Sequence, residues 1–118
     1  MNFLQAVARQ EGFYALGTRP QRNFNPGDIE SGRFAAAHGA IGSDGRFAKF
    51  ASADDGFTAM KALFQAPGYR GLTVRAALNR WAPPVENNVS AYVANVCKWV
   101  GCEPDDIIDG LLDGAFGG

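Results

Sequence analysis

The chain has 118 residues, 47% of them hydrophobic, with eleven basic and twelve acidic side chains and a net charge of −1. That length predicts a single domain over residues 1–118. The balanced charge argues against a nucleic-acid binder, and no apolar run reaches the length of a membrane span.

Residues 2–11 read as an amphipathic helix, with Phe3, Leu4, Ala6, Val7 and Ala8 on its apolar face, Asn2 as cap and Gly12 as stop. Residues 15–34 read as a long irregular segment broken by Gly17, Pro20, Pro26, Gly27 and Gly32, a length that in a small domain points to function. A hairpin follows: Ala36 to Ile41, a turn over Gly42-Ser43-Asp44-Gly45, then Arg46 to Phe50, with His38 as a strand residue. Ser52 opens a helix carrying Phe57, Met60, Leu63 and Phe64 at helical spacing, and Pro67-Gly68 ends it. Thr73 caps a helix through Arg80. Pro83-Pro84 stiffen a turn, and Asn88 or Ser90 caps a helix that runs to Val100 with Gly101 as its stop. Pro104 starts a last acidic helix with Ile107, Ile108, Leu111 and Leu112, before a loose tail over 114–118. The pattern is α+β and mainly helical: five helices and one small hairpin after the first helix. The N-terminus shows no secretory pattern, which predicts synthesis in the cytoplasm. Cys97, Cys102 and the single His38 are too few for a metal site, so no metal and no cofactor is expected, and the two cysteines read as free thiols.

Glu11 ends the first helix and is followed at once by Gly12, Phe13 and Tyr14. A carboxyl crowded by two aromatic rings loses hydration and holds its proton longer, as a general acid requires. A glutamate at a helix C-terminus also sits against the dipole, which gives its presence there no helical benefit. The plain alternative is a solvated residue at a helix end.

The order of helix, Glu11-Gly12-Phe13, an Asn23-Phe24-Asn25-Pro26-Gly27-Asp28-Ile29 loop, hairpin and further helices resembles the lysozyme-like superfamily. It is most similar to small phage and prophage proteins of lysozyme-like or lytic-transglycosylase-like type. Arg46 to Phe50 with Gly56-Phe57-Thr58-Ala59, and Trp81-Ala82-Pro83-Pro84-Val85-Glu86-Asn87-Asn88 with Tyr92, carry the rest of the likeness. The resemblance implies cleavage of the β-1,4 bond between N-acetylmuramic acid and N-acetylglucosamine, with Glu11 as general acid. The partner would be the peptidoglycan glycan strand, and the place of action the bacterial cell wall. A hydrolase needs a second carboxylate. Asp28 is the first candidate; Asp44, wanted by its turn, and Glu30 follow. Without a second acid, the muramic 6-hydroxyl attacks and Glu11 serves as acid and then base. Tyr14, Phe24, Trp81 and Tyr92 offer aromatic faces to sugars. Asn25, Asn87, Asn88 and Gln21 offer amides, Glu86 stands in the shared motif, and Arg22, Arg46 and Lys49 could meet lactyl or peptide carboxylates. For Trp81 the competing reading is core packing under the proline turn. The competing function is a non-catalytic glycan-binding or structural module that assembles with other virion proteins.

Overall fold

The first helix, α1 (Phe3–Glu11), begins in a reciprocal capping box. The Gln5 backbone N–H donates to Asn2 Oδ1 at 2.8 Å, and the Asn2 N–H donates to Gln5 Oε1 at 3.1 Å. Its end is equally defined. Gly12 takes φ +91°, the Gly12 N–H donates to the Arg9 carbonyl and the Phe13 N–H to the Ala8 carbonyl. That pair of bonds is a Schellman closure, which only a residue tolerant of the left-handed region makes without strain.

The computed structural model describes residues 1–112; the tail expected to be loose lies outside the described residues. Those residues form an α+β fold of seven helices and a two-stranded antiparallel hairpin. They fall into two compact units, one of residues 1–6 with the chain from Phe64 onward, the other of Val7–Leu63.

Val7–Leu63 holds the end of α1, then α2 (Arg19–Arg22), α3 (Arg33–Ala37), β1 (Ala40–Asp44), β2 (Phe47–Phe50) and most of α4 (Ala53–Phe64). Gly45, at φ +61°, and Arg46 make the two-residue turn between the paired residues Asp44 and Phe47. Glycine at the first central position suits the primed turns that tight hairpins need. Ala48 and Phe50 point to the buried face of β2, joining Val7, Ala8, Ile29, Ala59 and Met60 in the core. Phe47 is out of phase with them and faces the other way, under the Arg19 guanidinium at 3.6 Å. Ser52 caps α4 through the Asp55 N–H at 3.1 Å. Gly56 then lets the preceding loop lie directly on the helix. A Cβ there would fall 2.2 Å from the Phe24 carbonyl oxygen and 2.6 Å from Pro26 Cδ.

The other unit is built on aromatic contacts. Phe64 meets Phe3 edge-on at 5.1 Å, stacks on Trp81 at 4.0 Å and 13°, and takes Tyr69 edge-on at 5.4 Å. Full burial of one such side chain contributes about 2 kcal/mol. Thr73 caps α5 (Val74–Trp81) and Asn88 caps α6 (Val89–Val100), each by a side-chain oxygen that accepts a backbone N–H at 3.1 Å. Val74, Ala77 and Leu78 are buried from α5, and Tyr92, Val93, Val96 and Cys97 from α6. The last helix among the described residues is α7 (Ile108–Leu112).

Five expectations need correction. The described residues hold seven helices, not five, because the irregular stretch over 15–34 contains α2 and the start of α3. The hairpin consequently follows α3. His38 is not in a strand: it closes α3, with its ring stacked on Phe34 at 4.0 Å and Nδ1 2.8 Å from the Phe34 carbonyl. Asp44 is the last residue of β1, and the turn is shifted one residue along. The last helix starts at Ile108, not Pro104, since Ile107 bridges to Thr73 and the Val74 N–H takes the Asp106 carbonyl at 2.8 Å.

Candidate functional site

Glu11 is half-buried at the end of α1, held in place by the Gly12 turn. Next to it Phe13 packs edge-on against Tyr14 at 5.2 Å and against Phe57 at 5.6 Å. Half of Tyr14 stays exposed, and burial of the rest raises its phenol above the ordinary value.

The start of α2 is tied to this turn. Thr18 caps α2, and its hydroxyl donates to the Gly12 carbonyl at 2.7 Å. Arg19 is therefore the first helical residue after a cap fastened one position beyond Glu11. Its guanidinium feels the charge of Glu11, but its main partner is Asp28. Arg19 Nε donates to Asp28 Oδ1 at 3.1 Å and Oδ2 at 3.2 Å, and Nη2 donates to Oδ2 as well. The hydrogen bond to Asp28 is the main reason the Arg19 pKa is raised, with Glu11 adding little. Such fork-to-carboxylate contacts are the stronger class of ion pair. The Asp28 side chain is only 8% exposed, and both of its oxygens are committed.

The two other acids considered as a second carboxylate are also on arginines. Glu30 Oε1 accepts from Arg46 Nε at 2.6 Å, and Asp44 lies 3.5 Å from Arg22. Both pairs are largely exposed, so each contributes little stability and opens readily.

The loop between α2 and Asp28 is a scaffold built on amides. Asn25 is 0% exposed. Its Nδ2 donates to the carbonyls of Ile29 (2.9 Å) and Ala48 (3.0 Å), and its Oδ1 accepts the Ile29 N–H at 2.9 Å. Its polar atoms are spent inside the fold, which is where the structure places a residue expected to bind sugar. Asn23, only 2% exposed, gives its carbonyl to the Phe50 N–H at 2.9 Å, while its Nδ2 finds no hydrogen-bond partner. Phe24 and Asp28, at φ +50° and +49°, are the residues other than glycine in the left-handed region among those described. Phe24 stays 45% exposed.

Glu11, Tyr14, Phe24, Asn25 and Asp28 thus share the Val7–Leu63 unit, and Arg19, paired with Asp28, also feels the charge of Glu11 weakly. Arg19 is the residue that sequence reading missed. Its signal was the Thr18-Arg19-Pro20 start of a helix, a cap followed by proline, nine residues before Asp28.

Trp81, Glu86, Asn87 and Tyr92 belong to the other unit. Trp81 stacks on Phe64, with Tyr69 edge-on at 5.8 Å. Glu86 is exposed, with its N–H on the Pro83 carbonyl, and Asn87 Nδ2 donates to that same carbonyl at 3.3 Å. Tyr92 is buried. A recess of about 440 Å³ in this unit is lined by Phe64, Gln65, Arg70, Asp109, Gly110 and Leu112, none of them an expected site residue. Among the described residues no three His, Cys, Asp or Glu side chains gather as a metal site requires, and no helix is long and apolar enough to cross a membrane.

No protein-family model and no curated protein matches this chain.

Proposed function

We propose that the chain cleaves peptidoglycan glycan strands at the β-1,4 bond of N-acetylmuramic acid, with Glu11 as the lone acid and base, in the manner of a lytic transglycosylase. It acts on the bacterial cell wall after synthesis in the cytoplasm. The observation that carries this form of the reading is the charge pairing in the Val7–Leu63 unit. Asp28, the first candidate for a second carboxylate, is buried and clamped by Arg19 through both oxygens, while Glu30 and Asp44 lie in exposed surface pairs. A retaining or inverting hydrolase needs a second carboxylate open to the sugar or to water. Intramolecular attack by the muramic 6-hydroxyl needs none. Glu11 gives its proton to the departing oxygen, then takes the hydroxyl proton as the 1,6-anhydro ring closes.

In this reading Asp28 does not touch the sugar. It pairs with Arg19 and fixes that guanidinium against the loop. Tyr14 and Phe24 offer exposed ring faces to the glycan. A second reading, a glycan-binding or virion structural module without turnover, draws on the same Arg19, whose charge acts on Glu11.

The test is mass spectrometry of fragments released from purified peptidoglycan, by wild type and by Glu11→Gln of matched melting temperature. The expected products end in 1,6-anhydro-muramic acid and vanish in the variant. Reducing-end products refute the lone-acid route. No release by folded wild type moves the assignment to the non-catalytic module.

A further inference from the structure

The geometry points to a reversible disulfide site at Cys97 and Cys102, closed by thiol–disulfide exchange with a low-molecular-weight disulfide such as oxidised glutathione. This inference is independent of the glycan-cleaving reading. Both thiols are free in the structure, and their sulfurs lie 3.7 Å apart. The helix end puts them there. Gly101 ends α6 in the left-handed region at φ +81°, and the Cys97 carbonyl accepts the N–H of both Gly101 (2.8 Å) and Cys102 (3.1 Å). In such a closure the residue two past the cap folds back over the last turn, and the two side chains concerned normally make a hydrophobic contact. Here both contacting side chains are cysteines. A disulfide needs the sulfurs at about 2.05 Å, so the pair must approach by about 1.7 Å, within reach of small side-chain rotations.

The chemistry balances with one disulfide oxidant. Cys102, the more exposed thiol, attacks oxidised glutathione through the small fraction that is thiolate near pH 9, releasing one glutathione thiolate and forming a mixed disulfide. Cys97 then attacks the Cys102 sulfur and displaces the second glutathione. Two protein thiols lose two electrons and two protons, and one glutathione disulfide becomes two thiols. The charged groups that face the pair are Glu103 and Asp106 beyond the helix end and Arg75 on α5. Burial raises the Cys97 thiol and, with Cys97 itself, pushes Cys102 up to about 12, so exchange is slow at neutral pH and quickens in mild alkali.

Folded wild type, Cys97→Ser and Cys102→Ser are incubated with oxidised glutathione near pH 9 and read by intact mass and thermal melting. Wild type is expected to become lighter by two hydrogens without retaining glutathione. Its melting temperature should rise by about 5 °C, reversibly with dithiothreitol. Cys97→Ser should stop at a stable glutathione adduct on Cys102, because the resolving thiol is gone. A lasting adduct on wild type, a disulfide-linked dimer, or thiols that persist while the same chain oxidises in guanidinium would each overturn the assignment. Melting of the serine variants before oxidant is added separates a folding defect from a chemical one.

Discussion

Asn25→Ala should be among the most damaging single substitutions in the Val7–Leu63 unit, although it changes few atoms. The Asn25 side chain makes three hydrogen bonds, to the Ile29 N–H, the Ile29 carbonyl and the Ala48 carbonyl, all at 2.9–3.0 Å and fully buried. Each such bond contributes about 1 kcal/mol, and a buried N–H left without a partner costs about 1–3 kcal/mol. The Ile29 carbonyl retains the Ala48 N–H at 2.9 Å, so the main orphan is the Ile29 N–H. The loss comes to about 4 kcal/mol, a large share of the stability of a domain this size.

Asn25→Asp sharpens the argument, because shape is kept while a donor becomes an acceptor. The new oxygen would face two carbonyl oxygens at the 2.9 and 3.0 Å now spanned by Nδ2. The introduced carboxyl therefore holds its proton more tightly in the folded chain than in the unfolded one, where it titrates near about 3.9. A raised folded pKa means stability that is present at low pH and lost as pH rises through the folded value. Asn25→Asp should thus be at least as unstable as Asn25→Ala at pH 7 and recover relative to it toward pH 4. Urea unfolding at both pH values measures this, with an expected midpoint drop of about 2 M at unchanged slope for Asn25→Ala. A loss below about 1 kcal/mol for Asn25→Ala, or a pH-independent difference between the two variants, would refute the reasoning.

Gly56→Ala should destabilise by about 3 kcal/mol in thermal melts despite alanine's better helix propensity, since its Cβ would lie 2.2 Å from the Phe24 oxygen. A double-mutant cycle on Arg19 and Asp28 should return a coupling of about 1–2 kcal/mol by urea unfolding, against about 0.5 kcal/mol or less for the exposed Arg46–Glu30 pair. Under reducing conditions stability should fall as pH rises from 9.0 toward 12. The native fold keeps the Cys102 proton that the unfolded chain has lost, and Tyr69, whose phenol burial also raises, adds in the same sense at higher pH. Cys102→Ser should flatten the lower part of that limb in pH-dependent melts.

Much of the helical frame was legible because its signals are local. Ser52 and Thr73 cap the helices they were expected to cap, Asn88 rather than Ser90 caps α6, and Gly12 and Gly101 stop theirs. The helices α2 and α3 were not legible by period, since four or five residues complete barely one turn. The late start of α7 depends on pairing between Ile107 and Thr73, thirty-four positions apart, and no local pattern carries that. The site divides the same way. The placement of Glu11 at a helix end followed from Gly12. The burial of Asn25 did not, because an asparagine beside Pro-Gly reads equally well as an exposed turn residue. The Arg19 clamp depends on Asp28 adopting a positive φ, a conformation that aspartate reaches more readily than most residues but that sequence does not announce.

That conformation connects the scaffold to its chemistry. Phe24 and Asp28 each hold a left-handed backbone at a cost of about 1 kcal/mol or more, and they bracket Asn25-Pro26-Gly27. The opposing contributions are visible: the Asn25 bonds, the close seat of Phe24 and Pro26 on Gly56, and the Arg19 fork on Asp28. At Asp28 the strained backbone accompanies a carboxylate aimed at Arg19, so the fold itself gains from it. At Phe24 it gains little, since the residue remains 45% exposed and glycine would take the same φ without strain. A bulky aromatic held outward on a rigid, strained corner is poorly explained by folding stability. In the proposed function it serves as a contact for the glycan. A sugar face is the partner that fits the proposed reaction, and the rigidity of the loop would then hold Phe24 ready for contact while Asp28 keeps the Arg19 charge in place.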